Sequence, residues 1–357
     1  MTYFLLFIIA LIVIEFIARK RYSKAHRLPF IPKQVGEYPY KEFIEECGPP
    51  LYWRLKAGYS KGQVHINSLG LRSPEPLKGC KRIWFAGESD LFGAKLAHED
   101  KIWFKELQRL LDQSHPGYQV MNCSIIGYNM AQTAIAVNAL PMEQGDILFL
   151  RANINDVSLA YIHGNEWKAG TPWPLDFVYK LERHKPWYYK LLDRSCAGMY
   201  LRKMLVKTED RASAFAPKPG FQWQNLLDYQ ERKIRFLIEK ANKRGVKPAF
   251  FDFAISYNET VTIDEEPKLA AIQSNWRGLV EGWSEYQFGN MEECVNRIAL
   301  PLKIPVLRFR PHIVNVKDHY LLYSDLLHLN ENGHKALAEA MYTELQASNL
   351  LTDGDLK

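Results

Sequence analysis

From about residue 80 onward, short apolar runs alternate with stretches whose apolar residues recur at helical spacing. The short runs predict strands at 82–86, 118–125, 146–151, 247–255 and 305–309. The periodic stretches predict helices over 99–111, 130–140, 224–244, most of 275–300, and 333–345. This alternation predicts an α/β fold with a five-stranded parallel sheet and helices on both faces. Such sheets bind ligands beyond the carboxyl ends of their strands.

The N-terminus has a different pattern, because residues 2–18 are apolar except for Thr2 and Glu15. A cleaved signal peptide is the alternative, but no basic residue precedes the apolar run and no small-x-small cleavage site follows it. We therefore expect a retained transmembrane anchor over 1–20. The basic residues that follow it favour an outside N-terminus and a cytoplasmic soluble domain.

The remaining chain divides by composition. Residues 28–65 are rich in Pro, Gly and Tyr, which indicates a linker or surface wrap over 21–65. Residues 66–350 then read as one domain, enlarged by an insert over 157–221. The length of 357 residues fits this arrangement of an anchor, a linker and one domain.

The net charge of +6 is unevenly distributed. The segments 19–33 and 180–207 each carry +6, so the rest of the chain is acidic, at −6. With no nucleic-acid motif, nucleic-acid binding is not expected. Five cysteines without a CxxC pair argue against a disulfide scaffold, and no metal-ligand spacing or phosphate loop appears, so we expect no metal or cofactor.

Polar residues follow four of the predicted strands, and they are the parts that an acyl-transfer site needs. Ser89 supplies a hydroxyl nucleophile, His328 a base, and Asp325 an acceptor that orients the imidazole. Backbone N–H groups of Ser89 and Gly127 and the side-chain amide of Asn155 are candidate donors to a developing oxyanion.

Four blocks in this order resemble those of the SGNH hydrolases, also called the GDSL esterase/lipase superfamily. They are Gly87-Glu88-Ser89, Gly127 within an Asn-x-x-x-x-Gly run, Asn153-x-Asn155-Asp156, and Asp325-x-x-His328. The resemblance covers about residues 67–345, and the run Asn67–Arg72 is similar to the lead-in of bacterial membrane-anchored members. It implies a flavodoxin-like three-layer α/β/α fold. Each block alone is weak, since Asp112 and His115 have the same spacing as the last one.

The resemblance also implies a function, that of a membrane-anchored serine esterase or deacylase acting on an O-acyl glycan or lipid. Ser89 attacks the ester carbonyl while His328, oriented by Asp325, takes the hydroxyl proton. The same residues serve an acyltransferase in which a sugar or lipid hydroxyl replaces water. A third alternative is a degraded, membrane-tethered module that binds glycan or lipid without catalysis.

Three departures from the family pattern bear on activity. Glu88 replaces the usual aspartate, and Asn153 replaces a glycine. Asp90 directly follows the nucleophile, where a carboxylate opposes an oxyanion unless it points away. None of the three removes a triad or donor group.

The insert over 157–221 combines aromatic and basic residues. One interpretation is a helical lid whose aromatic side chains complete the core. The other is a membrane-facing lid, with basic residues on anionic headgroups and aromatic residues at the interface.

The membrane-facing interpretation predicts that replacing Lys180, Arg183, Lys185 and Lys190 by Gln weakens binding to anionic liposomes. The measurement is co-sedimentation of the domain without residues 1–20, because the anchor alone would bind. Unchanged binding would reject this interpretation in favour of a core-completing lid.

Overall fold

The computed structural model describes most of the chain. The described residues are 2–26, 40–61, 64–94, 96, 99–173, 195–205, 218, 220, 222–253, 255–256, 289, 291–325 and 327–351. The chain begins with helices α1 (Thr2–His26) and α2 (Tyr40–Phe43). Two small antiparallel pairs follow, made by β1 (Ile44–Glu46) with β2 (Trp53–Leu55) and by β3 (Ser60–Lys61) with β4 (Val64–His65).

The centre of the fold is a five-stranded parallel sheet, as the alternating pattern predicts. Its strands are β5 (Lys81–Phe85), β6 (Tyr118–Asn122), β7 (Ile147–Leu150), β8 (Lys247–Phe251) and β9 (Val306–Leu307). They lie in the order β6-β5-β7-β8-β9. This is the flavodoxin-like order 2-1-3-4-5, in which the strand order reverses at β5.

Helices cover both faces of this sheet, with one exception. The helices of the domain are α3 (Ser89–Phe92), α4 (Trp103–Ser114), α5 (Met130–Asn138), α6 (Ile154–His163), α7 (Cys196–Leu205), α8 (Trp223–Lys243), α9 (Met291–Cys294), α10 (Phe309–Val314) and α11 (Glu331–Ala347). Helices other than α7 cover the sheet, and α7 packs against α1. A π-helical turn, Val295–Ala299, continues α9.

Alternate residues of each strand pack into two separate hydrophobic cores, because successive side chains of a strand point to opposite faces of the sheet. On one face, Trp84 and Leu148 pack with buried residues of α5, α6, α8 and α9. On the other face, Ile83, Phe85 and Phe149 pack with buried residues of α4, α10 and α11. The three-layer arrangement predicted from the sequence is therefore confirmed.

Residues 40–61 and 64–65, which fall in the predicted linker, pack onto the edge of the domain that carries the candidate site. Phe43, Trp53 and Leu55 are buried in a third apolar cluster. The indole N–H of Trp53 donates to the carbonyl of Ile126 at 3.0 Å, and the Tyr128 hydroxyl donates to the carbonyl of Trp53 at 2.6 Å. This wrap thus holds the turn that contains Gly127.

The N-terminal helix α1 carries exposed apolar side chains along its length, including Phe4, Phe7 and Ile12. Its Glu15 pairs with Arg19 and accepts the backbone N–H groups of Cys196 and Ala197 at the start of α7. Across the described part of the chain, no helix has both the length and the apolar character of a membrane span.

Of the predicted insert, the structure describes 157–173, 195–205, 218 and 220. Its first residue, Val157, is buried within α6 and belongs to the main core. The basic side chains of Lys180, Arg183, Lys185 and Lys190 lie outside the described residues.

The edge strand β6 is paired on one side with β5, and a side chain of α4 binds part of its other side. The Gln108 amide donates to the carbonyl of Tyr118 at 2.9 Å and accepts the N–H of Val120 at 2.7 Å. A second side chain, Gln119, makes the same kind of pair with the backbone of Glu75 and Leu77. Such cover keeps an edge strand from pairing with another chain.

We expect Gln108→Leu to lower the free energy of unfolding by about 1–3 kcal/mol, because it leaves two backbone groups of β6 without their partner. Urea unfolding followed by circular dichroism measures this loss. Gln113→Leu, at an exposed position on the same helix, is the matched control. Equal losses in the two variants would contradict this account of the β6 edge.

Candidate active site

Ser89 lies at the first position of α3, directly beyond the carboxyl end of β5. The turn before it is tight: a Cβ on Gly87 would stand 2.7 Å from Leu91 Cδ1 and 3.1 Å from Ser124 Oγ. The short helix ends at Gly93, which has the left-handed φ of 76°. Glycine therefore bounds both ends of the segment that presents the serine hydroxyl.

Backbone hydrogen bonds join the carboxyl end of β5 to β7 and to the segment that follows β6. The N–H of Ala86 donates to the carbonyl of Phe149 at 3.1 Å, and the N–H of Ile125 donates to the carbonyl of Gly87 at 3.3 Å. The turns after β5, β6 and β7 are thereby brought to one rim of the sheet.

Ser89, His328 and Asp325 form a continuous hydrogen-bonded chain. His328 Nε2 lies 2.8 Å from Ser89 Oγ, and His328 Nδ1 lies 2.8 Å from both carboxylate oxygens of Asp325. The His328 side chain is 14% exposed and that of Asp325 8% exposed, so both groups are largely shielded from solvent. In this arrangement the imidazole can accept the serine proton while the carboxylate fixes its tautomer.

The loop that carries Asp325 and His328 is itself rigidly held. Asp325 Oδ1 also accepts the backbone N–H groups of Leu327 at 3.0 Å and His328 at 2.8 Å. Asn330 caps the start of α11 through the N–H of Gly333 and donates to the carbonyl of Leu321. These contacts fix the acid and the base of the site relative to each other.

The predicted oxyanion donors lie on the same rim. Gly127 has a φ of 72° in the turn after β6. Tyr128 follows Gly127, and the side-chain amides of Asn153 and Asn155 both donate to its backbone carbonyl at 3.0 Å. The amide of Asn155 has a second N–H, and its role toward an oxyanion stays a prediction, as does that of the backbone N–H groups of Ser89 and Gly127.

Two carboxylates flank the nucleophile in the sequence, and both are drawn into the interior. Glu88 and Asp90 are almost fully buried, and both form ion pairs with the guanidinium of Arg151, at 2.6 Å for Asp90. Burial raises the pKa of Glu88 to about 8, over the opposing attraction of Arg151, and the charge of Asp90 adds to the rise. Both carboxyl groups thus bind a cation in the interior.

A second buried arginine holds the other end of the nucleophile helix. Arg72 donates to the carbonyls of Phe92 and Gly93 at 3.1 and 2.9 Å and binds the buried Glu99 carboxylate through two nitrogens. The Asn67–Arg72 run at the start of the domain therefore anchors the last carbonyls of α3.

Two other histidines, His334 and His115, take no part in the triad. His334 is fully buried, and neither of its ring nitrogens has a hydrogen-bond partner among the described residues. Burial, with the nearby charge of Arg72, lowers its pKa to about 3. Asp112 accepts from Gln108, and His115 lies against Ser114, so this repeat of the Asp-x-x-His spacing forms no dyad.

Arg151 ends the third predicted strand and Arg72 ends the Asn67–Arg72 run, and neither position by itself indicates a role at the site. One signal in the sequence does point to a buried arginine at the site. It is the pair of carboxylates beside Ser89, since buried charges need a partner. Arg151 directly follows β7, the strand next to β5, and was the candidate at the right end of the sheet. Among the described residues, no group of three or more His, Cys, Asp or Glu side chains has the arrangement of a metal site.

No protein-family profile and no curated protein matches the chain. Similar solved structures include TesA, with 13% identity over 75% of this chain and 99% of that chain and a TM-score of 0.41. A GDSL-like lipase from Bacteroides thetaiotaomicron shares 13% identity over 76% of this chain and 92% of its own, with a TM-score of 0.41. The esterase EstA from Pseudoalteromonas shares 12% identity over 75% and 97%, with a TM-score of 0.40. Similarity at this level transfers no residue role.

We expect His334→Leu to reduce the loss of stability at low pH. The lowered pKa keeps His334 neutral in the fold while the unfolded chain binds a proton below pH 6.5. The wild type therefore loses up to about 1.4 kcal/mol per pH unit between pH 6.5 and 3 from this group, and the variant does not.

Chemical denaturation at pH 7, 6, 5 and 4 measures the difference between the two proteins. The free energy of unfolding of the variant should rise relative to that of the wild type as the pH falls. Parallel curves would show that His334 is not held neutral in the fold.

Proposed function

We propose that this protein is a serine esterase or deacylase that hydrolyses acyl esters of a glycan or lipid. The observation that carries the proposal is the hydrogen-bonded chain from Ser89 Oγ through His328 to Asp325. Such a chain activates a hydroxyl that is otherwise a weak nucleophile.

The reaction follows from the positions of the three groups. His328 Nε2 takes the proton as Ser89 Oγ attacks the ester carbonyl, and Asp325 stabilises the imidazolium that forms. His328 then gives this proton to the departing alkoxide, which leaves the acyl group on Ser89. Water that loses its proton to His328 attacks the acyl-enzyme. The bond between the acyl carbon and Ser89 Oγ then breaks, His328 returns the proton to Ser89, and the carboxylic acid is released.

The oxyanion of each tetrahedral intermediate would lie among the N–H groups of Ser89 and Gly127 and the amide of Asn155. The anchoring of Asn155 on the carbonyl of Tyr128 supports this assignment, since an oriented donor needs little reorganisation as charge develops. The position of Gly127 supports it as well, because it lies in the turn after β6, at the same rim as Ser89.

We also propose that the N-terminal segment attaches the domain to a membrane, with the domain on the cytoplasmic side. The exposed apolar side chains of α1 support attachment, since Phe4 is 69% and Ile12 63% exposed. The basic run over 19–33 supports the side.

A fluorophosphonate probe tests the proposed nucleophile. We expect the wild type to be labelled and Ser89→Ala to remain unlabelled, with hydrolysis of p-nitrophenyl acetate lowered at least about a thousandfold, the scale of loss typical of a catalytic triad.

Ser60→Ala is the matched control, because the Ser60 hydroxyl also lies against a histidine, 2.6 Å from His65 Nδ1, at an exposed position. It should be labelled like the wild type. Loss of labelling in Ser60→Ala, or labelling of Ser89→Ala, would assign the nucleophile elsewhere. No labelling of the wild type would favour a binding module.

A further inference from the structure

The nucleophile turn has an unusual charge arrangement. Ser89 lies between two acidic residues, Glu88 and Asp90. These two residues are only 2% and 1% exposed in the fold. A buried carboxylate beside a site where negative charge develops opposes the reaction, because the interior screens charge poorly. The chain must therefore compensate these two groups.

Arg151 is the compensating group. Its guanidinium, with its side chain 1% exposed, forms ion pairs with the carboxylates of both Glu88 and Asp90. It also lies over the rings of Phe253, at 4.6 Å from the ring centroid, and of Phe251, at 5.3 Å. The guanidinium is thereby held between the ends of β7 and β8 and the turn that carries Ser89.

We propose that Arg151 is a positioning residue of the esterase, which fixes the Ser89 turn through the two flanking carboxyl groups and keeps their combined charge from opposing the oxyanion. This inference rests on the proposed function. One arginine balances one carboxylate, so the charge beneath the nucleophile depends on whether the second carboxyl group is protonated.

The charged groups that face Glu88 come from three segments: Arg151 after β7, Asp90 on α3 and Asp156 on α6. With a pKa near 8, Glu88 is protonated at neutral pH, and Asp90 with Arg151 forms a neutral pair. Above pH 8, Glu88 ionises and the cluster gains a negative charge. Asp156, whose pKa burial raises to about 7, ionises earlier, and its carboxylate accepts the N–H of Met130 at the start of α5.

The proposal therefore predicts a fall in esterase rate above about pH 8 that Glu88 causes. Between pH 7 and pH 9.5, kcat/KM of the wild type for p-nitrophenyl acetate should fall about tenfold, the effect of one partly compensated charge near the oxyanion. The isosteric Glu88→Gln keeps the shape of the turn without the ionisation. Its rate, relative to its own value at pH 7, should stay level over this range.

Replacing the arginine tests the compensation directly. Arg151→Met leaves Asp90 without a cation, so we expect kcat/KM at pH 7 to fall at least about tenfold. Without the cation Glu88 ionises at higher pH, so the pH at which kcat/KM begins to fall should be higher than in the wild type. Adding Asp90→Asn to Arg151→Met removes the uncompensated charge and should recover part of the lost rate.

Arg82→Met is the matched control for the loss of a buried arginine. Arg82 lies near the amino end of β5, the strand that leads to the nucleophile turn. There it donates to the carbonyls of Pro141 and Leu77. This variant should lose stability and keep the alkaline fall of the wild type. Ser89→Ala supplies the background hydrolysis to be subtracted at each pH, and circular dichroism confirms that each variant is folded.

The outcomes separate this inference from the proposed function. A wild type that is labelled by the fluorophosphonate through Ser89, with Glu88→Gln showing the same alkaline fall as the wild type, overturns the role of Arg151 alone. A wild type that is neither labelled nor active overturns both. A level profile in Glu88→Gln, together with recovery by Asp90→Asn, supports the compensation, since a merely structural role would move neither.

Discussion

The position of β5 between β6 and β7 is the constraint on which the site depends. As the first strand of the sheet in chain order, it is hydrogen-bonded on both sides, and the register places Ile83 beside Val120 on one strand and Ile147 on the other. Parallel strands in register end at the same edge, so the residues beyond them must converge there. Shifting β5 by one residue would exchange its two buried faces and turn Ser89 away from His328.

Buried charge is the second feature that shapes the site. Arg151 and Arg72 are both removed from solvent, and each binds one end of the short helix α3. A planar guanidinium suits this task better than an ammonium, because it offers several donors in fixed directions. Burying an ion pair costs desolvation free energy, so these pairs are better explained by the geometry they impose than by added stability.

The sequence was informative where a signal is local. The Asp325–His328 spacing and the turn at Ser89 are each contained within a few residues, and the periodic pattern over 224–244 closely matches the helix Trp223–Lys243. Boundaries were less accurate where burial continues past regular structure. The apolar run over 247–255 includes Phe253 and Ile255, which are buried, but the strand ends at Phe251.

The roles of Arg151 and Arg72 could not be read from local pattern. Arg151 is 63 residues from Glu88 in the chain, and their contact exists only because β7 lies next to β5. Arg72 meets the carbonyl of Gly93 across 21 residues, a segment that contains the whole of β5 and α3. Pairing of this kind depends on three-dimensional register, which single-sequence periodicity does not encode.

The distance between Ser89 and His328 along the chain has a consequence for biosynthesis. The two residues are separated by 239 positions, and His328 lies just before the helix α11. During synthesis, the serine therefore leaves the ribosome long before its base exists, and the triad cannot form until His328 has been made. A chain that ends before Asp325 accordingly holds an inert serine, and reactivity of that hydroxyl reports that the chain has been made past His328.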